Sequence, residues 1–331
     1  MSKSNLPSYS VAIRTLGKAG AIYQNLLDSI VAQTHKPEKI VIYLAEGYDK
    51  PTESVGVEEI VVVPKGMIAQ RSLQYKEIES EYILLLDDDV SLAPDSAEKM
   101  CRAMVNDKDA AFCVADVFHT AHRSLKQRIV GFCKQLTYTR KDDGWGVKIC
   151  RNGSCSFNNS PSTTVVKTES GAGPASMWRK QSFLDIHFED ERWMDKFSYA
   201  LGDDQLMFYK VIVNGSYGLM CYDSGIVHED AQTSQGSAKK DNNKTFYRSQ
   251  LRYIVWYRTI YECSKSFGDR VLNRLSYMIL IALIATQHLA LSIVKLSPNL
   301  FVQFIKGQIV ASRYVKSAEY KAIPQYKLNN N

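Results

Sequence analysis

The sequence predicts an α/β protein with a Rossmann-like, mixed and mainly parallel sheet flanked by helices, followed by a C-terminal helical, membrane-associating extension. Three observations support this fold class. Short apolar runs alternate with amphipathic segments through the first third of the chain, which is typical of βαβ units. One run, Ile83 to Leu86, is wholly apolar, as expected for a strand buried on both faces. The most apolar stretch, Leu275 to Leu296, lies near the end of the chain and is about long enough to span a bilayer.

The predicted elements alternate between strands and helices. Ser10 to Ile13 form the first strand, and Ala19 to Gln33 form a helix with an apolar face. A second helix is predicted after Pro64-Lys65-Gly66, where it carries Arg71, and a third from Asp95 to Met104. Because the carboxyl ends of parallel strands meet at one edge of a sheet, side chains that follow these strands should share a ligand site. The remaining predicted strands of this region are Ile40 to Leu44, Glu59 to Val63, Ile83 to Leu86 and Ala110 to Val117.

Composition and charge exclude several classes of protein. The chain has 331 residues, of which 45% are hydrophobic, and its net charge is +6. This modest positive charge suits an anionic substrate or membrane surface, and it does not indicate a nucleic-acid-binding protein. The 7 cysteines show no repeated C-x-x-C spacing, so we predict reduced thiols rather than a disulfide framework or a zinc cluster. The N-terminal segment contains no apolar run, so we expect no signal peptide.

Three adjacent aspartates, Asp87, Asp88 and Asp89, directly follow the apolar strand at Ile83 to Leu86. Adjacent carboxylates repel each other and raise each other's pKa unless a cation lies among them. The triplet therefore indicates a divalent metal site at the carboxyl edge of the sheet. A solvated acidic turn before the helix at Asp95 is the alternative that this motif alone leaves open.

A segment rich in small residues, Ser170 to Lys180, contains Gly173 and includes Trp178 and Arg179 near its end. Small residues allow backbone amides to approach a ligand closely. The segment therefore predicts a tight, ligand-contacting stretch of backbone. An ordinary glycine-rich turn before a helix has the same composition.

Two acids and a histidine in the second half of the chain are further candidates. Asp203 and Asp204 open an amphipathic helix that runs to Val213, where they are either catalytic acids or ordinary N-terminal caps. His228 ends a short apolar run and is either a structural residue or a metal ligand. As a neutral imidazole, it suits Mn²⁺ better than Mg²⁺.

Residues 8–255 resemble the family 2 glycosyltransferases of GT-A fold, of the type that assembles bacterial surface polysaccharides. The resemblance rests on the motifs S-V-A-I-R-T-L-G-K, Q-T-H-K-P-E-K-I-V-I-Y, L-L-L-D-D-D and G-D-D, together with His228. The chain departs from the family pattern at two places. Arg14 stands where proline is usual, and Leu44-Ala45-Glu46-Gly47 stands where two aspartates and a glycine are usual.

The resemblance implies a role for each candidate residue. Asp204 would be the base that deprotonates the acceptor hydroxyl, with Asp203 as the second candidate. The divalent metal, Mn²⁺ or Mg²⁺, would be held by Asp89, Asp87 and His228. The nucleotide sugar would be bound by Thr15, Glu46, Arg71, Asp87 and Asp88, and the donor sugar or acceptor by Gly173, Trp178 and Arg179. Arg248 or Arg252 would hold the diphosphate, because arginine binds phosphate oxygens through two parallel hydrogen bonds; a basic helix that lies against an anionic membrane surface is the alternative, and it is compatible with this role.

The C-terminal third is predicted to follow a catalytic domain that covers residues 1–232. Residues 233–265 would form a lid loop and a basic aromatic helix, and residues 266–331 apolar and amphipathic helices with a free polar tail. Leu275 to Leu296 would span a bilayer, dip into one leaflet as a helix pair, or pack on the catalytic domain. Thr286-Gln287-His288 lies near its middle, where polar side chains are costly in a bilayer, so we expect interfacial attachment.

These features together predict a metal-dependent, inverting hexosyltransferase on the inner, cytoplasmic face of the cell membrane, peripheral or monotopic. Its partners would be a nucleotide-diphosphate sugar donor, a glycan or lipid-linked glycan acceptor and the membrane surface, with no nucleic acid. Two alternatives remain. A nucleotidyltransferase would use a similar D-x-D site, although no glycine- and lysine-rich loop follows the first strand. A non-catalytic carbohydrate- or membrane-binding scaffold of the same fold is favoured by the departure at Leu44-Ala45.

Overall fold

A computed structural model describes residues 6–117, 125, 144–158, 161–197, 201–229, 243–294, 296 and 298–326 of the chain. The strands in these ranges are β1 (Tyr9–Thr15), β2 (Ile40–Ala45), β3 (Glu58–Val63), β4 (Tyr82–Asp87), β5 (Val90–Leu92), β6 (Ala110–Ala115), β7 (Val147–Ile149), β8 (Cys155–Phe157), β9 (Val165–Thr168), β10 (Ala175–Arg179), β11 (Tyr217–Cys221) and β12 (Ile226–His228). The helices are α1 (Ala21–Val31), α2 (Ser96–Asn106), α3 (Lys180–Asp185), α4 (Asp203–Val213), α5 (Lys244–Trp256), α6 (Phe267–Val294), α7 (Asn299–Tyr314) and α8 (Ala318–Lys321). A 3₁₀ helix covers Phe188–Lys196, and a π-helical turn covers Tyr257–Tyr261.

One eight-stranded sheet, in the order β3-β2-β1-β4-β10-β6-β11-β9, forms the centre of the fold. Strands β3, β2, β1 and β4 are parallel, whereas β10 is antiparallel to both of its neighbours. Strand β11 is parallel to β6, and the edge strand β9 runs against β11. The predicted mixed and mainly parallel sheet is therefore confirmed.

Apolar side chains cover both faces of this sheet. On one face, residues such as Leu26 of α1 and Met100 of α2 pack against Leu84. On the other face, Phe208 of α4 and Leu251 of α5 belong to a second core. Helices on both faces explain why the central strands are wholly apolar, and they leave the strand ends as the place for polar chemistry.

Strand β10 was not predicted, and it changes the interpretation of the small-residue segment. Trp178 is the last residue but one of this strand, is 0% exposed and stacks on Phe208 at 5.7 Å between ring centroids. Arg179 lies beside Tyr82, the first residue of β4, so it is at the opposite end of that strand from Asp87. The predicted sugar contacts of Trp178 and Arg179 do not fit these positions, because one side chain is in the core and the other is at the wrong edge of the sheet.

The helix predicted to carry Arg71 is also wrong, because residues 64–72 form a series of turns. The carboxylate of Asp195 accepts hydrogen bonds from the backbone N–H groups of Ile68 and Ala69, at 2.8 and 3.0 Å. A Cβ at Gly66 would lie 2.5 Å from the same carboxylate. The turns therefore depend on a partner that is distant in the sequence.

The C-terminal apolar stretch forms one continuous helix, α6, which begins earlier than predicted. Within the described ranges it is the only helix long and apolar enough to cross a membrane, and its most apolar stretch of 18 residues has a mean hydropathy of 2.0. Length and composition alone do not separate a spanning helix from other apolar helices. Helix α7 returns along α5 and comes so close that a Cβ at Gly307 would lie 2.5 Å from the backbone oxygen of Phe246.

The polar tail predicted from Lys321 onward is wrong for residues 321–326. Ile323 is buried in the core, and the carbonyl oxygen of Pro324 accepts a hydrogen bond from Arg258 Nη2 at 2.9 Å. Residues 327–331 lie outside the described ranges. The predicted lid loop does too for the most part, since residues 230–242 are not among those described, and α5 begins at Lys244.

Candidate active site

Asp87 at the end of β4 forms an ion pair with Arg14 on the neighbouring strand β1. The two residues lie side by side in the parallel register. Arg14 donates to both carboxylate oxygens, through Nε to Oδ1 and through Nη2 to Oδ2 at 2.8 Å. Burial alone would raise the pKa of Asp87, but the charges of Arg14 and Arg71 outweigh it and hold the pKa below its usual value. Both oxygens are engaged by Arg14, so a metal ion at Asp87 would have to share an oxygen with this ion pair, and the role of Asp87 as a metal ligand stays a prediction.

Asp88 lies against the turn that follows β1. The Thr15 hydroxyl donates to Asp88 Oδ2 at 2.5 Å and accepts a hydrogen bond from the Gly17 N–H at 2.8 Å. Burial raises the pKa of Asp88 to about 6, and the neighbouring charges of Asp87 and Asp89 act in the same direction. The structure therefore brings Thr15 and Asp88 together at the edge where sequence analysis predicted the nucleotide.

Asp89 and His228 form the second part of the site. Strand β12 pairs with β5, which places His228 opposite Val90. His228 Nε2 lies 3.2 Å from Asp89 Oδ1, and the Glu229 N–H donates to the Asp89 carbonyl oxygen at 2.8 Å. Two short strands, distant in the sequence, thus hold a carboxylate and an imidazole side by side.

Arg71 connects the aspartates of β4 with those of α4. Its side chain is buried, and Nη1 donates to Asp203 Oδ2 at 2.8 Å and also to Asp204 Oδ1. Nη2 lies 3.8 Å from Asp87 Oδ1. Arg71 therefore touches acids from both sides of the candidate cleft, and its charge compensates theirs.

Asp203 and Asp204 begin helix α4 and differ in their access to solvent. The Asp203 side chain is 12% exposed and the Asp204 side chain 32%. Burial raises the pKa of Asp203 to about 6, with a further contribution from the charge of Asp204. Asp204 is the more accessible carboxylate, which favours it over Asp203 for contact with a substrate.

Gly173 is where the small-residue segment contributes to this cluster. Its N–H donates to Asp204 Oδ2 at 3.1 Å, and its carbonyl oxygen accepts from Arg71 Nη2 at 3.4 Å. A Cβ at this position would lie 2.0 Å from Asp204 Oδ1. Only glycine leaves room for the carboxylate in this arrangement.

The space behind this cluster is nearly filled. The cavity lined by Arg14, Tyr43, Arg71, Asp87 and Gly173 has a volume of about 10 Å³. That is about the space of a single water molecule. A ligand larger than a water molecule would therefore have to bind outside this cavity.

Three predicted binding residues lie apart from this cluster. Glu46 is exposed just after β2, where its carboxylate accepts a long hydrogen bond of 3.4 Å from the Lys65 N–H. It remains a predicted contact for the base or ribose. Arg248 is exposed on α5, and Arg252 is partly buried there, within electrostatic reach of Tyr277 on α6. The predicted diphosphate contact does not fit the position of Arg252, because this side chain faces the C-terminal helices.

A divalent metal fits this site in part. Within the described ranges, no group of three or more His, Cys, Asp or Glu side chains is placed to hold a metal ion. Asp89 and His228 supply a carboxylate and an imidazole, a ligand pair that suits Mn²⁺. Metals in phosphate-transfer sites commonly take one or two protein ligands and complete their shell with substrate phosphates and water.

Sequence analysis missed two residues that organise the site. Arg14 appeared only as a departure from the family pattern, yet it neutralises Asp87. Asp195 holds the turns from which Arg71 reaches the aspartates. The parallel pairing of β1 with β4 places Arg14 beside Asp87, so the order of the strands could have indicated this contact. No residue pattern around Asp195 indicates its contact with the turns near Arg71.

Comparisons with known proteins establish the fold of the chain. No protein-family model matches the sequence, and no curated protein matches it significantly. A crystal structure of GalNAc-T7 with UDP, GalNAc and Mn²⁺ matches with a TM-score of 0.51 and 12% sequence identity. The match covers 86% of this chain and 58% of the GalNAc-T7 chain, so this protein spans a little over half the length of that structure. At this identity the likeness shows the fold alone, and it confirms the predicted GT-A architecture.

Proposed function

We propose that this protein is a metal-dependent, inverting glycosyltransferase of the family 2 type. It would move a hexose from a nucleotide-diphosphate donor to a hydroxyl group of a glycan or lipid-linked glycan. The observation that carries the proposal is the position of Arg71, which contacts Asp203 and Asp204 on one side and lies 3.8 Å from Asp87 on the other. The candidate base and the strand-end aspartates therefore belong to one connected cluster.

The side chains of this cluster divide the reaction between them. Asp204 would accept the proton of the acceptor hydroxyl while that oxygen forms a bond to the anomeric carbon. The bond between that carbon and the diphosphate breaks, and its electrons go to the departing phosphate oxygen. Asp89 and His228 would hold Mn²⁺ or Mg²⁺, which when bound neutralises charge on the diphosphate. Thr15, Glu46 and Asp88 would bind the nucleoside.

Support for the substrates comes from the matched structure and from the C-terminal helices. GalNAc-T7 was crystallised with UDP, GalNAc and Mn²⁺, which favours a nucleotide-sugar donor and a divalent metal on this fold. Helix α6 exposes large apolar side chains, including Met278, Ile279 and Leu283. An exposed apolar face favours attachment to a membrane surface and hence a lipid-linked acceptor in bacterial surface-polysaccharide assembly.

A panel of nucleotide sugars, incubated with and without Mn²⁺, tests this proposal. We expect one donor to be hydrolysed or transferred only with the metal, and NMR of the product should show an inverted anomeric centre. Release of pyrophosphate from a nucleoside triphosphate would instead identify a nucleotidyltransferase. Neither turnover nor nucleotide binding with any donor would leave a non-catalytic scaffold.

A further inference from the structure

The polar residues in the middle of α6 are not explained by glycosyl transfer. The Thr286 hydroxyl donates to the carbonyl oxygen of Ala282 at 3.0 Å, within the helix itself. His288 packs on Phe304 of α7, with 5.0 Å between ring centroids. Its Nδ1 atom is buried and has no hydrogen-bond partner among the described residues. Buried polar atoms of this kind are rare and call for a partner.

Arg252 on α5 faces the same helix. It lies one turn before Trp256, whose ring stacks on Tyr277 of α6 at 3.9 Å between centroids. Arg252 is partly buried, yet in the described part of the chain its guanidinium forms neither a hydrogen bond nor an ion pair. Burial lowers the pKa of Arg252, and the charge of Arg248 one turn earlier acts in the same direction.

Arg252 and His288 influence each other across the boundary between the two helices. Burial lowers the pKa of His288, and the positive charge of Arg252 lowers it further. Among the described residues, no acid shifts the pKa of either side chain. In the part of the chain that the structure describes, Arg252 and His288 thus bring positive charge and an unsatisfied ring nitrogen to the junction of α5 and α6.

The side chains of Arg252 and His288 favour an anionic phosphate group as their ligand. A guanidinium group binds phosphate through two parallel hydrogen bonds, and a partly buried one gains more from an anion than an exposed one. Leu283 and Leu289 lie close to His288 in the sequence of α6, and their side chains are exposed, at 54% and 45%. A lipid suits this surface, because its phosphate group can bind the cations while its apolar chains contact the exposed leucines.

We propose that Arg252, together with His288, binds the phosphate group of a membrane lipid at the junction of α5 and α6. The inference goes beyond glycosyl transfer, and only its polyprenyl phosphate alternative rests on the proposed function. It gives the polar residues of α6 a function, and it separates Arg252 from the diphosphate of the donor. The lipid is either an anionic phospholipid of the bilayer or the polyprenyl phosphate of a lipid-linked acceptor.

Flotation of the full-length protein with vesicles tests the proposal. The vesicles contain phosphatidylcholine alone, or phosphatidylcholine with added phosphatidic acid or polyprenyl phosphate. We expect a phosphate monoester lipid to raise the affinity of the unaltered protein about tenfold, as expected for a charge-assisted contact. Arg252→Gln should lose this gain while keeping its binding to phosphatidylcholine. A gain with only one of the two lipids identifies the source of the phosphate.

Arg313→Gln is the matched control, because it removes the same charge from an exposed position on α7. It should keep most of the gain, and an equal loss in both variants would show a general charge effect and overturn the site. A second measurement covers the case in which Arg252→Gln does not fold. Soluble short-chain phosphatidic acid should raise the Tm of the unaltered protein, whereas inorganic phosphate and short-chain phosphatidylcholine should not. An equal shift with inorganic phosphate, or none with the lipid, would refute a lipid-phosphate site.

Discussion

Arg14 on β1 holds both carboxylate oxygens of Asp87 on β4. The first acid of the D-D-D motif is therefore committed to a protein cation, and Asp89 is left beside His228 as the carboxylate available to a metal. This division of roles within three adjacent residues follows from strand register, because Arg14 is directly opposite Asp87. The contribution of the Arg14–Asp87 ion pair to the free energy of unfolding can be measured.

Arg14→Met should destabilise the fold by leaving the Asp87 carboxylate without its main partner. We expect the free energy of unfolding to fall by about 2 kcal/mol, as for a lost hydrogen bond to a charged group. In the double variant with Asp87→Asn the cost should be smaller than the sum of the single costs. Urea unfolding of the four proteins gives these values. Strictly additive costs would show that the pair contributes nothing as a pair.

Asp204→Asn should reduce sugar transfer by at least about 100-fold, because Asp204 is the most exposed of the three aspartates around Arg71. Nucleotide binding, measured by calorimetry, should change little. Asp203→Asn should have a smaller effect on kcat, since its side chain is less exposed. Asp185→Asn, on the exposed side of α3, is the control and should behave like the unaltered protein. Full activity in Asp204→Asn would reject its role as base.

Removal of a metal ligand should weaken binding of the ion and of the nucleotide together. Asp89→Asn and His228→Asn should each lower the affinity for Mn²⁺ by about tenfold or more, measured by electron paramagnetic resonance. Glu229→Gln is the control. It changes a neighbouring carboxylate that accepts a hydrogen bond from the Ser91 hydroxyl, and it should keep the Mn²⁺ affinity. Unchanged Mn²⁺ binding in both ligand variants would place the metal elsewhere.

Glu191 should make the fold sensitive to acid. Burial would raise its pKa, but hydrogen bonds from Arg258 and the charges of Arg258 and Lys210 hold it below its usual value of 4.5. A carboxyl whose pKa is lower in the folded chain stabilises it above the unfolded pKa, and this contribution is lost as pH falls from about 4.5 through the folded pKa. Urea unfolding at several pH values should show that loss.

Glu191→Gln should cost about 3 kcal/mol at neutral pH, because Arg258 is left buried without its anion. Below pH 4.5 the difference from the unaltered protein should shrink. Glu189→Gln is the control, because the Glu189 side chain is 41% exposed beside His187. Its free energy of unfolding should equal that of the unaltered protein at every pH. A constant difference between Glu191→Gln and the unaltered protein would mean that the carboxylate does not titrate as stated.

Local patterns in the sequence predicted much of the fold, and distant contacts account for the errors. The apolar runs at β1, β2 and β4 identified parallel strands, and the D-D-D and G-D-D motifs identified acids that the structure brings to one cluster. Strand β10 was missed because Ala175–Arg179 follows a glycine-rich segment and gains its identity from pairing with β4 and β6. The turns at Arg71 depend on Asp195, which lies 127 residues from Ile68, so no window of sequence around Arg71 indicates them.

After α7 the chain returns to the core of the sheet domain, so the C-terminal helices are attached to that domain at both ends. Helix α5 leads into them from the core, and beyond them Tyr320 and Ile323 are buried while Arg258 binds the carbonyl oxygen of Pro324. Because the C-terminal helices are held to the core at both ends, they cannot rotate away from it about a single hinge. If the apolar face of α6 rests on a bilayer, the candidate site would lie at a constant height above the lipid. Under the proposed function, only acceptors whose hydroxyl group lies at that height would then be glycosylated.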